Sequence, residues 1–169
     1  MFETRVLGVD PGLARLGLAV VEGNGRKAEL IWAGAVETAA RSQESERLRH
    51  LCLAVREAIS VHLPASMAVE RVAWNKNQVS ALTVARATGA IMVVAADAGL
   101  SVTEYGPNEV KIAVTGMGNA DKQQVRRALV KVHGLTDVPV QADAADAVAV
   151  ALTHLVGARM RDLARLGSR

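Results

Sequence analysis

Aromatic side chains are scarce in this 169-residue chain: Phe2, Trp32, Trp74 and Tyr105 are the only four. The core must therefore be built from Ala, Val and Leu, and any aromatic in a polar loop stands out. Cysteine is reduced to one residue, Cys52, which excludes an intramolecular disulfide and reads as a small apolar residue within a helical stretch. No Cys or His cluster has zinc-ligand spacing. The N-terminus shows no charged segment followed by an apolar stretch and a cleavage site. The longest apolar run, Ala87 to Ala96, falls short of the roughly 20 residues that cross a bilayer. A soluble, cytoplasmic protein without a membrane partner is the expectation.

No repeat, linker or low-complexity tract divides the chain, so 1–160 reads as a single domain and 161–169 as a basic tail expected to fray. A chain of this length buries roughly 70% of its unfolded surface, enough for one core. Twenty Lys and Arg stand against seventeen Asp and Glu, a formal charge of +3. If four acids are gathered in one site, the remaining surface is clearly basic, which favours an anionic partner such as nucleic acid.

The apolar period changes along the chain. Thr4 to Asp10, Leu16 to Glu22 and Leu30 to Glu37 are short β-type runs separated by Pro, Gly and Asn, predicting three antiparallel strands. Ser42 to His62 carries Leu48, Leu51, Val55 and Ile59 at helical spacing and stops at Pro64. A strand from Ser66 to Glu70 follows, then a helix over 77–98 with Leu82, Ala85, Gly89, Val93 and Ala96 along one stripe. A strand at 100–105 precedes helices at 107–114, 122–133 and 141–160. That order predicts an α/β domain with a central mixed sheet and helices on both faces.

Four carboxylates arrive from three separate stretches. Asp10 ends the apolar strand of VLGVDPG and Glu70 ends that of MAVERV, while Asp143 and Asp146 in QADAADA lie three apart on one helix face. An isolated buried carboxylate forfeits several kcal/mol or more of hydration, so a cationic partner is required. No Lys or Arg lies between Gln141 and Leu155. Oxygen-only ligands point to a hard divalent ion, Mg²⁺ or Mn²⁺. Taken singly, Glu70 also fits an ordinary ion pair with Arg71 or Arg86, and Asp143 and Asp146 also fit a helix first turn favoured by the dipole.

VLGVDPG, the Glu70 strand, GNADKQQV and QADAADAVAVALTH, in this order over Arg5 to His154, resemble the RuvC family of Holliday-junction resolvases. The resemblance implies an RNase H-like fold, a five-stranded mixed sheet flanked by helices. It implies a homodimeric, metal-dependent endonuclease that cuts four-way DNA junctions by paired symmetric nicks, and a partnership with RuvA and RuvB. Catalytic and metal-binding roles then fall to Asp10, Glu70, Asp143 and Asp146. The chemistry agrees: phosphodiester hydrolysis needs an activated water, an in-line leaving oxygen and charge neutralisation, which two divalent ions about 4 Å apart supply. Four carboxylates roughly match their charge. A kinase-like ATPase half with a GVDPG phosphate turn would require a second half for which the length leaves no room. An inactive RNase H-like scaffold that only binds nucleic acid is countered by the presence of all four acids.

By the same resemblance Lys111 and Lys122 match lysines that contact DNA. Lys122 follows the Gly-rich GMGNAD and opens a helix, where free amides and the dipole favour phosphate. Lys76 and Arg71 are further DNA-binding candidates, their alternative being solvated surface charges. Where the family commonly places a junction-stacking aromatic, three residues after Glu70, this chain has Ala73. The neighbouring Trp74, in the polar WNKNQ, is the candidate to stack on a base, or else caps the core. His154, two turns beyond Asp146, fits either an orienting role or a satisfied core histidine.

Overall fold

The computed structural model describes residues 4–24, 27–72 and 78–167. Five strands and five helices follow in order: β1 (Thr4–Asp10), β2 (Arg15–Gly23), β3 (Ala28–Glu37), α1 (Glu44–His62), β4 (Ser66–Glu70), α2 (Gln78–Asp97), β5 (Ser101–Tyr105), α3 (Pro107–Thr115), α4 (Lys122–Lys131) and α5 (Ala142–Gly167). The sheet order is β3-β2-β1-β4-β5, with the first three strands antiparallel and β1-β4 and β4-β5 parallel. The mixed α/β sheet expected from the apolar period is thus present.

Because side chains alternate along a strand, β1 sends Val6, Gly8 and Asp10 to one face and Leu7 and Val9 to the other. Leu7, Val9, Leu18, Val20, Met67 and Val69 pack against Leu51 and Val55 of α1 and Ala87, Ile91 and Val94 of α2. The opposite face meets α3, α4 and above all α5, through Val6, Ala19, Val21 and Ala68 against Ala147, Val148, Ala151 and Leu152. Here the sheet is pared to the backbone. A Cβ at Gly8 would collide with the Ala147 carbonyl, and one at Gly17 with the Asp143 carbonyl. Only glycine at these two positions lets α5 lie so close.

Other features set the ends of elements. Leu63 takes left-handed geometry (φ 50°) at the end of α1 because Pro64 disfavours the helical region for its predecessor. The segment after Asp10 is fastened where the Thr38 hydroxyl donates to the Leu13 carbonyl at 2.6 Å and Arg47 Nε donates to Thr38 Oγ1 at 2.8 Å.

Two expectations need correction. α5 does not end near Met160 but runs to Gly167, since Arg, Leu and Ala in RDLARLG are good helix formers and no proline intervenes. Ser80–Asp97 of α2, with mean hydropathy 1.3, is long and apolar enough to cross a membrane by length and composition. Its stripe Ala81, Ala87, Ile91, Val94 and Ala95 is nevertheless buried within the domain, as expected of a core helix.

Candidate active site

Asp10 and Glu70 close the adjacent parallel strands β1 and β4 and point to the same face as Gly8 and Ala68. Gly17 is the ladder partner of Asp10, and through its missing side chain the first turn of α5 settles over the strand ends, bringing Asp143 and Asp146 with it. The four acids form one electrostatic unit. Asp10 is pushed from 3.8 up to about 8, first by burial and then by the neighbouring Glu70, Asp146 and Asp143. Glu70 is likewise raised, chiefly by burial, with Lys122 and Lys111 pulling the other way. Burial and like charge thus both disfavour full ionisation of the two strand-end acids.

Glu70 forms a ridge between two hollows. One, of about 190 Å³, is lined by Asp10, Pro11, Arg71 and Ser80; the other, of about 450 Å³, by Lys111, Ala120, Lys122 and Asp146. Lys122 Nζ lies 2.7 Å from Asp146 Oδ2. The helix dipeptides around Asp146 offer no cation, yet one comes from the start of α4, a pairing that sequence separation conceals. The amide site expected at the start of α4 is partly taken: Asp121 Oδ1 accepts from Gln124 N at 2.8 Å, and Gln124 Oε1 accepts from Asp121 N at 2.8 Å.

The ordinary ion pairs considered for Glu70 are made elsewhere. Arg71 faces Glu109 at 3.6 Å, and Arg86 grips Glu44 at 2.9 and 3.1 Å. Glu109 also accepts from Gly106 N at 2.6 Å, so it ties Arg71 to the start of α3; the GPNE sequence, an acid three residues after the cap, is the signal that identifies it. Both ring nitrogens of His154 are engaged in the domain: Nε2 is 3.2 Å from Ser66 Oγ and Nδ1 3.0 Å from Tyr105 Oη. Ser66 and Tyr105 gave no separate signal in the sequence. Trp74 and Lys76 lie outside the described residues.

Among the described residues, no three His, Cys, Asp or Glu side chains are closed up around an ion-sized space. Asp10 feels the charge of the other three acids, but the four stand apart as ligands, and Asp146 is bonded to Lys122. Their chemistry still fits a hard divalent ion: oxygen donors only, half-buried, and more negative charge than the lysine neutralises.

A five-stranded sheet of this order with acids at its central strand ends belongs to the RNase H-like resolvases. Residues 6–154 match the family model for crossover junction endodeoxyribonuclease RuvC. A RuvC of Frankia casuarinae is 47% identical over 156 residues, covering 89% of this chain and 88% of that protein. The structure of T. thermophilus RuvC in complex with Holliday junction substrate superposes with a TM-score of 0.87 at 37% identity, covering 93% of this chain and 96% of the other. The yeast mitochondrial Holliday junction resolvase Ydc2 shares the fold, with a TM-score of 0.71 at 11% identity, over 94% of this chain and 81% of its own. This chain belongs to the RuvC family, whose members are DNA-cleaving hydrolases that resolve Holliday junctions.

Proposed function

We propose that this junction resolvase cuts DNA with Asp10, Glu70, Asp143 and Asp146 as ligands for two Mg²⁺ or Mn²⁺ ions. The observation that carries this is the gathering of Asp10 and Glu70 at the ends of adjacent parallel strands beside Asp146 and Asp143: charge of this density, which burial and like charge already penalise at Asp10, wants a multivalent cation. When bound, the ions supply an activated water, a stabilised leaving oxygen and neutralisation of the phosphoryl charge. Asp10 and Glu70, set on rigid strands, fix the attack geometry, and the first turn of α5 brings the other two acids to the same point. Lys111 and Lys122 line the adjoining hollow, where a scissile phosphate entering the cleft would meet them. Arg71 borders the other hollow and serves the flanking strand once freed from Glu109.

Asp146→Asn should abolish cleavage of a four-way junction in Mg²⁺ or Mn²⁺ while binding persists, because a ligand charge is lost and the basic contacts remain. A gel comparing four-way junction, duplex and single strand, with and without each ion, is the measurement. Full cleavage by the variant refutes the ligand assignment, and binding without any cleavage by wild type would leave only an inactive scaffold.

The homodimer rests on α2. Leu82 and Val93 are 53% and 60% exposed, Ala85, Gly89 and Ala96 are exposed on the same side, and nothing lies within 4 Å of a Cβ built at Gly89. Ala81, one residue before Leu82, is buried instead. Small residues at helical spacing let a second helix approach closely. Gly89→Leu should overpack that contact and shift the protein toward monomer in analytical ultracentrifugation; an unchanged dimer places the two-fold contact elsewhere. RuvA and RuvB as partners rest on the family resemblance.

A further inference from the structure

We infer that Lys122 is a tethered counter-cation of the acid cluster, seated on Asp146 in the free protein and displaced onto DNA phosphate when a divalent ion and the junction bind together. The inference rests on the reading of the four acids as the metal site. Lys122 Nζ is 2.7 Å from Asp146 Oδ2, the lysine side chain being 75% exposed and the aspartate 27%. Its proton affinity is raised first by this hydrogen bond, with Asp10 and Asp143 adding to it. Its attraction thus extends to all four acids, since it also acts on Glu70.

The backbone under this lysine is fixed. Asp121 and Gln124 cap each other reciprocally at the start of α4, so the ammonium swings on its four-carbon stem from a fixed point. An ammonium bonded to Asp146 and a divalent ion on the same carboxylate repel one another, so metal entry requires the lysine to leave. The hollow shared by Lys111, Lys122 and Asp146 gives it somewhere to go: a phosphate there accepts the released ammonium. Metal and DNA then each remove an obstacle to the other, and this coupling is reciprocal in the two affinities. Beyond contacting the backbone, the lysine would keep the free enzyme poor in metal until a phosphate is in place.

The test is Mn²⁺ binding followed by electron paramagnetic resonance, with no turnover involved. It compares wild type, Lys122→Met and Asp146→Asn, each alone and with a phosphorothioate-protected four-way junction. Without DNA, Lys122→Met should bind Mn²⁺ at least threefold tighter than wild type. The junction should tighten Mn²⁺ binding by wild type at least threefold and by Lys122→Met distinctly less. Equal or weaker Mn²⁺ binding by DNA-free Lys122→Met overturns the proposal, as does equal tightening of both proteins by the junction. If instead Asp146→Asn binds Mn²⁺ as wild type does, the metal-site reading itself has failed. Circular dichroism spectra that superpose confirm that this exposed substitution leaves the fold intact.

Discussion

On one side of the sheet, Leu7, Val9, Leu18 and Val20 meet Leu51, Val55 and Ile91 through large side chains; on the other, Gly8 meets Ala147 and Ala151, and Gly17 meets Asp143 and Ala144, almost backbone to backbone. The first face gains stability from apolar area and can absorb small adjustments. The second spends side-chain volume to set a distance, because Asp143 reaches the strand ends only if α5 lies close over Gly17. The same sheet thus keeps its bulky packing and its cluster of acids on opposite faces.

The contrast fails if the two faces respond alike. Gly17→Ala drives a Cβ into the Asp143 carbonyl and should cost about 1–3 kcal/mol of stability. The cleavage rate per folded molecule should fall about a hundredfold, the scale expected of a misplacement of about 1 Å. Leu51→Ala opens a cavity on the other face and should cost about 2–5 kcal/mol while leaving that rate within twofold. Urea unfolding and single-turnover junction cleavage measure both quantities, and equal rate losses would erase the distinction.

A second contrast lies in pH. Asp10, on the close-packed face, holds a proton in the folded protein that the unfolded chain releases near 3.8. Its contribution is therefore fully present below that pH and is lost as pH rises toward about 8. In EDTA, stability should fall across this window with a slope of at most about 1.4 kcal/mol per pH unit, and Asp10→Asn should flatten it. A slope that survives the substitution belongs to other groups. The smallest effect is expected at the strut behind the acids: Tyr105→Phe removes the hydroxyl that meets His154 and should cost about 1 kcal/mol. Thermal unfolding unchanged within a few tenths of that figure would show the bond to be idle.

The chain order of strands and helices was readable because each element carries its own period and ends in Pro, Gly or a cap. The acids were readable because a carboxylate at the end of an apolar strand violates the local pattern. Contacts between elements were not. Nothing in the spacing of Lys122 and Asp146 announces a 2.7 Å ion pair, and the exposure of Gly89 alongside the burial of Ala81 depends on how α2 is rotated against the sheet. His154 was ambiguous for the same reason: its partners Ser66 and Tyr105 sit on two other strands.

The His154 strut also has a mechanical consequence. It pins α5 to β4 and β5 some eleven residues beyond Asp143, about 16 Å along the helix axis at the standard rise. The first turn of α5 is thus the far end of a lever whose fulcrum is bonded, whose shaft rests on Gly8 and whose end rests on Gly17. A tilt of about 4° about that fulcrum would carry Asp143 about 1 Å from the strand-end acids, a displacement large enough to matter for in-line attack. If these acids hold the metal ions as proposed, small rotations of one helix would therefore be amplified into the spacing between its acids and those of the strands.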